Sequence, residues 1–184
     1  QLNAAAATAT GLAMGVDPKV IRKAVQKVQV PGRFQGIDLG QGFGVIIDYA
    51  HTPDALENTL RAARALMKGK LICVFGCGGD RDQGKRPQMG KISNNLADLT
   101  VVTSDNPRME DPEQIIRDIL QGLEEGSYKT EIDRRQAIEF AIKSAKSEDL
   151  ILIAGKGHEV YQDIGGEKMP FDDQEVVREI LCKN

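Results

Sequence analysis

Two strand-length segments of this chain are apolar from end to end. Residues 71–75 read Leu-Ile-Cys-Val-Phe, and residues 150–154 read Leu-Ile-Leu-Ile-Ala. A strand that faces water on one side alternates apolar and polar residues, whereas a strand covered on both faces does not. Strands of the second kind belong to parallel sheets packed between two layers of helices, so the sequence predicts an α/β fold.

Helix and strand patterns alternate over residues 33–184, as the connections of a parallel sheet require. The predicted fold class is therefore a doubly wound, mostly parallel sheet covered by helices. The predicted elements are, in order, a strand at 43–49, a helix at 53–67, a strand at 70–75, a helix at 87–96, a strand at 99–103, a helix at 112–123, an extended piece at 130–132, a helix at 135–145, a strand at 149–154, a hairpin turning at 165–166 and a helix at 173–181.

The first 32 residues have a different pattern. An alanine-rich, helical stretch is followed by Asp17-Pro18, which supplies an N-cap residue and then proline at the first position of a helix over 18–27. Pro31-Gly32 ends that pattern. Two short helices cannot bury their own apolar faces, so we expect this short helical segment to belong to a larger domain.

The composition excludes several classes of protein. The chain has 24 Lys and Arg against 27 Asp and Glu, a net charge of −3, which argues against a protein that binds nucleic acid through its phosphates. No window approaches the ~18 apolar residues of a membrane span, and the N-terminus lacks the pattern of a secretory leader. The three cysteines form no Cys-x-x-Cys pair, as expected of free thiols in the cytoplasm. With two histidines, no metal site is expected in this chain.

Polar loops follow four of the predicted strands at their carboxyl ends, where ligands bind in sheets of this kind. Turns favour glycine, aspartate and asparagine, but that preference does not account for an arginine in both the second and the third loop. We therefore expect a functional site at this edge. The four loops are 48–51 (DYAH), 76–82 (GCGGDRD), 103–108 (TSDNPR) and 155–159 (GKGHE).

The glycine-rich loop 79–86 resembles a nucleotide-binding loop only superficially. It matches Gly-x4-Gly-Lys, but it has Arg86 where a P-loop has the Ser or Thr that ligates Mg²⁺. The dinucleotide fingerprint also fails, because the stretch 76–81 lacks the last glycine. Neither motif is assigned.

The charged residues of these loops suit an amino acid as ligand. Arg81 and Arg108 can each hold a carboxylate through two parallel hydrogen bonds. Asp105 and Glu159 could hold an ammonium group. The alternative is that these four side chains form solvated ion pairs with each other, which would contribute little. His51 could stack on a nucleotide or simply precede a helix.

Five motifs carry a resemblance to a known family. Together, and in this order, they resemble the C-terminal part of the Mur ligases over essentially the whole chain. The resemblance implies that residues 1–32 are the last helices of the family's central ATP-binding domain. Residues 33–184 would be its C-terminal, Rossmann-like, amino-acid-binding domain. The motifs are Val30–Arg33, Asp48–Asp54, Phe75–Asp82, Thr103–Arg108 and Ala154–Glu159.

The family forms peptide-type bonds with ATP. ATP phosphorylates a carboxylate of a nucleotide-linked peptide to an acyl phosphate. The amine of the incoming amino acid attacks it and phosphate leaves, while Mg²⁺ offsets the developing charge. In this family the motif Asp-Asn-Pro-Arg, present here at 105–108, goes with meso-diaminopimelate rather than lysine, so the resemblance implies that amino acid as the one added. It would be joined to UDP-N-acetylmuramoyl-L-alanyl-D-glutamate in cytoplasmic peptidoglycan precursor synthesis.

The resemblance also implies roles for particular residues. Arg108 would hold the distal carboxylate of diaminopimelate, and Glu159 and Gly155 its distal amino-acid head. No catalytic residue and no metal ligand is assigned to this chain. The residues that would bind diaminopimelate are Arg81, Asp105, Asn106, Arg108, Gly155 and Glu159. The residues that would line the ATP site are Arg33, Asp48, Tyr49 and His51.

Several parts of the family pattern have no counterpart in this sequence. These are the true P-loop, the carbamylated lysine and acidic Mg²⁺ ligands, and the domain that holds the uridine nucleotide. The chain alone is therefore expected to have no ATPase or ligase activity. Three alternatives remain open: a lysine-adding ligase of the same family, a folylpolyglutamate synthase and a stand-alone amino-acid-binding module. Arg108 favours diaminopimelate over lysine, because lysine has no distal carboxylate.

Overall fold

The computed structural model describes residues 2–28 and 30–183. They form two compact units, residues 1–30 and residues 31–184. This division lies two residues before the boundary that the sequence suggests.

The first unit is a pair of helices, α1 (Leu2–Ala13) and α2 (Pro18–Lys27). The predicted start of α2 is confirmed: Oδ1 of Asp17 accepts a hydrogen bond of 2.7 Å from the backbone N–H of Lys19, and proline follows the cap. Leu12 and Met14 are at least half exposed. As expected from the sequence, two helices of this length leave apolar side chains uncovered.

The second unit is built on a six-stranded sheet with helices on both faces. Five strands are parallel, in the order β2-β6-β3-β4-β5, which confirms the predicted doubly wound fold. Its elements are β1 (Gln35–Ile37), β2 (Gly44–Asp48), α3 (Pro53–Arg64), β3 (Leu71–Phe75), α4 (Lys85–Leu96), β4 (Leu99–Val102), α5 (Pro112–Leu120), β5 (Tyr128–Thr130), α6 (Arg134–Ser144), β6 (Leu150–Ala154), the hairpin strands β7 (Tyr161–Ile164) and β8 (Glu167–Pro170), and α7 (Asp173–Lys183).

The sequence did not predict strand β1, and β5 begins two residues before the extended piece expected at 130–132. Strand β1 pairs antiparallel with β2 at the edge, with Gly36 opposite Ile46. Its three residues, Gln-Gly-Ile, carry too little apolar character to be recognised as a strand. Pairing with β2 supplies the stabilisation that the local sequence lacks.

The sheet buries apolar side chains on both faces. In β3, the side chains of Leu71, Cys73 and Phe75 join the core beneath α3, α4 and α5, while Ile72 and Val74 join the core beneath α6 and α7. All five residues are at most 2% exposed. This alternation between two cores is the physical reason for the uninterrupted apolar run.

Helix α4 begins two residues earlier than predicted, so Arg86 lies in its first turn. The Arg86 side chain is fully buried, and its guanidinium contacts Glu110 and Asp118, each at 2.9 Å. An arginine held in this way belongs to the packing of α4 against its neighbours. The structure therefore agrees with the rejection of a P-loop at this position.

None of the helices in the described part of the chain is long and apolar enough to cross a bilayer.

The three cysteines are free thiols, as predicted, and their surroundings differ. Burial raises the pKa of Cys73 and of Cys77 to about 12, whereas Cys182 is exposed. Because the thiolate is the reactive form, we expect a disulfide reagent at pH 8 to label one thiol per folded chain and all three in denaturant. Counting labelled thiols by mass spectrometry with and without guanidinium checks this. Rapid native labelling of all three would contradict it, and a Cys182→Ser variant identifies the fast site.

Candidate functional site

A pocket of about 450 Å³ lies at the carboxyl edge of the sheet. We call it the edge pocket. It is formed by the loops that follow β2, β3, β4 and β6, so the four polar loops predicted from the sequence meet at one place. A larger depression, of about 620 Å³, lies at the opposite edge of the sheet and contains none of the predicted site residues. The edge pocket is lined by Tyr49, His51, Thr52, Pro53, Gly76, Gly78, Arg81, Asp82, Lys85, Gln88, Asp105, Asn106, Arg108, Gly155 and Glu159.

All six residues that the sequence assigns to an amino acid line the edge pocket. The four residues assigned to ATP are less uniform. Tyr49 and His51 line the pocket, and the Arg33 guanidinium lies 4.6 Å from the centre of the Tyr49 ring. Asp48 is buried and turned inward, where its carboxylate accepts hydrogen bonds from the Phe34 N–H (2.7 Å) and the Thr59 hydroxyl (3.3 Å). Asp48 thus fixes the backbone beside Arg33 and does not line the pocket.

A hydrogen-bonded group of three side chains lies at the floor of the edge pocket: Asn106 and Glu159 line it, and Lys156 is buried beneath them. Nδ2 of Asn106 donates to Oε2 of Glu159 at 2.8 Å, and Nζ of Lys156 donates to Oδ1 of Asn106 at 2.9 Å. Lys156 Nζ also lies 3.4 Å from Oε2 of Glu159. The other carboxylate oxygen of Glu159 accepts a hydrogen bond of 3.4 Å from the hydroxyl of Tyr49. The loops after β2, β4 and β6 are therefore joined through one carboxylate.

Asp105 supplies a second carboxylate to the pocket. Its side chain is buried, and no side chain or backbone N–H in the described ranges donates a hydrogen bond to its Oδ2. Burial raises the pKa of Asp105, and the cations Arg134 and Lys156 partly offset that rise. A buried carboxylate oxygen without a donor can accept a hydrogen bond from a ligand ammonium.

Gly155 makes room for Asp105. Its φ is +116°, and a Cβ there would lie 2.6 Å from Oδ2 of Asp105. Both the backbone conformation and the space require glycine. The absence of a side chain keeps the Asp105 carboxylate within reach of the pocket.

Arg108 is held in place by its main chain and by one arm of its guanidinium. Its N–H donates to the carbonyl of Asp163 (2.9 Å) and its carbonyl accepts from the N–H of Gly165 (2.8 Å), so the β7–β8 hairpin grips the Arg108 backbone. Nη1 of Arg108 donates to the carbonyl of Gly79 at 2.6 Å. A Cβ on Gly78 would lie only 2.8 Å from that Nη1. The rest of the guanidinium remains available for a carboxylate.

Arg81 is the less constrained of the two pocket arginines. It is exposed, and its Nη1 contacts the carbonyl of the preceding residue, Asp80, at 3.0 Å. Its guanidinium can therefore move towards a ligand at little cost.

A group of aromatic rings lies next to the acidic floor. The ring centre of Tyr49 is 4.5 Å from that of His51 and 5.1 Å from that of His158. Nδ1 of His51 lies 2.8 Å from the carbonyl of Tyr49, and Lys85 donates to the carbonyl of His51. Burial and the nearby Glu159 carboxylate raise the pKa of Tyr49, so its hydroxyl stays protonated and acts as a donor. Flat rings beside cations can stack on a planar ligand such as a purine.

Sequence reasoning missed three charged residues beneath the pocket. Lys156 and the pair formed by Arg134 and Asp173 are fully buried. Arg134 donates from Nε and Nη2 to the two carboxylate oxygens of Asp173, each at 2.8 Å, and from Nη2 to the carbonyl of Ala154 at 3.2 Å. One signal was present: an arginine in the first turn of a helix opposes the helix dipole, which indicates a specific acidic partner.

Comparisons with known proteins agree with the motifs. A family model described as "Mur ligase, glutamate ligase domain" matches residues 32–157. The UDP-N-acetylmuramoyl-L-alanyl-D-glutamate–2,6-diaminopimelate ligase of Syntrophomonas wolfei is 53% identical over 183 residues, which cover 97% of this chain and 37% of that protein.

Solved structures of related proteins have a similar fold. A structure of a UDP-N-acetylmuramoyl-L-alanyl-D-glutamate–2,6-diaminopimelate ligase is similar with a TM-score of 0.79 and 41% identity, over 96% of this chain and 37% of that one. FolC of E. coli in complex with ADP is similar with a TM-score of 0.60 and 28% identity, over 78% of this chain and 33% of that one. The chain thus spans about a third of the length of these relatives.

Proposed function

This chain belongs to the Mur ligase family, and from that membership we propose that it is the amino-acid-selecting part of an ATP-dependent ligase that adds meso-diaminopimelate to UDP-N-acetylmuramoyl-L-alanyl-D-glutamate. The observation that carries the proposal is the charge arrangement of the edge pocket. Arg81 and Arg108 offer donors for carboxylates, and Asp105 and Glu159 offer acceptors for ammonium groups. A ligand that carries a carboxylate and an ammonium group at each end, such as meso-diaminopimelate, can bind all four of these side chains.

Arg108 is the residue that separates diaminopimelate from lysine in this proposal. The distal end of diaminopimelate carries a carboxylate, and the distal end of lysine does not. A guanidinium fixed by Gly79 and still free on its other arm can hold a carboxylate in a defined direction. Glu159 and the backbone at Gly155 would take the ammonium and the rest of that distal head. Asp105 and Asn106 would complete the contacts, and Arg81 would close over the ligand.

ATP would lie beside the amino acid, against the aromatic rings. We assign its contacts to Arg33, Tyr49 and His51, while Asp48 would act indirectly by holding the backbone next to Arg33. The ADP complex of the FolC relative supports a nucleotide in this family of folds. ATP would supply the phosphoryl group that turns the carboxylate of the UDP-linked dipeptide into an acyl phosphate, and phosphate would leave when the amine forms the amide bond. The residues of this chain would bind and orient the amine and help to exclude water.

The described side chains offer no preformed metal site, whereas the family resemblance implies acidic Mg²⁺ ligands in the central domain. Within residues 2–28 and 30–183, no three His, Cys, Asp or Glu side chains lie close enough together to hold a metal ion. We therefore assign Mg²⁺ binding, and the binding of the UDP-linked dipeptide, to other parts of the ligase. Residues 1–32 would be the last helices of the central ATP-binding domain, and residues 33–184 the C-terminal domain. The whole enzyme would act in the cytoplasm, without nucleic acid or membrane as partner.

The test is amino-acid selection by the natural full-length protein. We expect phosphate release that depends on the UDP-linked dipeptide, with kcat/KM for meso-diaminopimelate about 10- to 150-fold above that for L-lysine, the range expected for one charged hydrogen bond. Reactions without the dipeptide serve as the control. A preference for lysine would support the lysine-adding alternative, and a preference for glutamate on a folate would support the folylpolyglutamate synthase. Tight diaminopimelate binding by calorimetry with no turnover would support a stand-alone binding module.

A further inference from the structure

Lys156 is a fully buried lysine whose ammonium lies under the edge pocket. Lysine is almost never fully buried without partners, because removing the ammonium from water is costly. Its partners here are Oδ1 of Asn106 at 2.9 Å and Oε2 of Glu159 at 3.4 Å. The ammonium also lies 5.7 Å from the centre of the Tyr161 ring. Two of its contacts are therefore residues assigned to the ligand site.

The contacts of Asn106 show what the ammonium does. Oδ1 of Asn106 faces two groups that can only donate, the Lys156 ammonium and the backbone N–H of Asp163 at 3.0 Å. The amide oxygen must therefore point towards them, which leaves the NH₂ group pointing at Glu159. Rotating the amide by 180° would place NH₂ against two donors and the oxygen against a carboxylate. Lys156 thus favours one of the two amide orientations.

The charges beneath the pocket give Lys156 a second effect. The titratable and charged groups near it are the carboxylates of Asp105, Glu159 and Asp173 and the guanidinium of Arg134. Burial lowers the pKa of Lys156 and raises that of Asp105, and the attraction between the two groups opposes both shifts, so each stabilises the charged form of the other. Without Lys156, three carboxylates would face one cation.

We propose that Lys156 is a positioning residue of the edge pocket: it fixes the amide of Asn106, holds Glu159 through that amide, and provides a cation near the Asp105 carboxylate, which a ligand ammonium would contact. The part that concerns the ligand rests on the proposed function. The part that concerns Asn106 and Glu159 holds for the protein without any ligand.

The experiment compares Lys156→Met with Lys168→Met in the natural full-length protein. Lys168 is a matched control because its ammonium lies over the same Tyr161 ring, at 4.4 Å, but is exposed and bonded to neither Asn106 nor Glu159 among the described contacts. For Lys156→Met we expect KM for meso-diaminopimelate to rise at least about tenfold while kcat changes much less. The reason is that this variant loses a charged hydrogen bond that orders the binding site. For Lys168→Met we expect neither change.

The pH dependence separates positioning from simple loss of stability. Removing the Lys156 cation raises the pKa of Asp105 further, so its carboxylate becomes protonated at higher pH. The acidic limb of the 1/KM profile should therefore move to higher pH in Lys156→Met, and should not move in Lys168→Met. A KM within threefold of the wild-type value and an unmoved acidic limb would overturn the proposal.

A measurement without ligand distinguishes this proposal from the proposed function. In protein labelled with ¹⁵N-asparagine, the side-chain NH₂ of Asn106 should exchange with solvent at least about tenfold faster in Lys156→Met, because the amide is no longer locked. Unchanged exchange would overturn the positioning role even if diaminopimelate is the substrate. If exchange becomes faster but the protein does not use diaminopimelate, the result would support the positioning role of Lys156 and contradict the proposed substrate. If Lys156→Met does not fold, Lys156→Gln carries the same tests, and failure of both to fold would show a structural role instead.

Discussion

Replacing Arg134 with methionine is expected to lower the free energy of unfolding of this chain by about 3–5 kcal/mol, because it leaves the carboxylate of Asp173 buried and unpaired. Both side chains of the pair are fully buried, and two hydrogen bonds of 2.8 Å join them. The pair ties the first turn of α6 to the first turn of α7. Urea unfolding followed by circular dichroism measures the loss.

The chain offers a matched control for this prediction. Arg135, the next residue of α6, pairs with Glu179 of α7, and both side chains are largely exposed. Arg135→Met should change stability little, since exposed ion pairs contribute little. The double variant Arg134→Met, Asp173→Leu should recover much of the loss, because an apolar pair needs no compensation for buried charge. A loss below ~1 kcal/mol for Arg134→Met would contradict the prediction, since it would mean that the buried pair contributes no more than a surface pair.

Replacing Arg108 with alanine is expected to raise KM for meso-diaminopimelate by about 10- to 150-fold in the natural full-length protein, the range expected for a charged hydrogen bond. Arg108 has a φ of +51°, which alanine would share, and its backbone bonds to Asp163 and Gly165 do not involve the side chain. The loop should therefore stay in place while the guanidinium is lost. Arg108→Lys should recover only part of the affinity, because an ammonium cannot form two parallel hydrogen bonds.

Two comparisons make this prediction specific. Arg117→Ala removes an exposed arginine on α5 that does not line the edge pocket, and should leave KM unchanged. Residual turnover of L-lysine should be unaffected by Arg108→Ala, because lysine has no distal carboxylate. An unchanged KM for diaminopimelate would remove Arg108 from the ligand site.

Much of the fold could be predicted because apolar residues recur with the period of each element. The strands at 71–75 and 150–154 are buried on both faces. Their uninterrupted apolar sequences indicate this burial without any knowledge of distant residues. Strand β1 could not be found in this way, since its stability comes from pairing with β2. The start of α4 was missed for a related reason: Arg86 is stabilised there by Glu110 and Asp118, 24 and 32 residues away.

The site shows the same limit. Its loops could be located because the carboxyl ends of parallel strands share one edge, and all six amino-acid residues proposed from motifs line the edge pocket. What the sequence could not give was the direction of each side chain. Asp48 follows its strand like the others but turns inward, and Lys156 reads as an ordinary loop lysine between two glycines although it is fully buried. Those directions depend on partners far along the chain, such as Asn106 for Lys156.

The β7–β8 hairpin contributes to the pocket through its main chain. Its strand β8 is exposed at all four positions, yet the carbonyl of Asp163 and the N–H of Gly165 hold the backbone of Arg108. Backbone contacts do not depend on which side chain a residue carries, but they do depend on the number of residues between them. Substitutions at the exposed positions of β8 should therefore leave the bonds to Arg108 in place. The side chains of Tyr161 and Gln162 of β7, in contrast, also contact Lys156 and the Asp105 carbonyl. The insertion or deletion of a single residue in the hairpin is expected to displace the bonds to Arg108, and with them the backbone that directs its guanidinium.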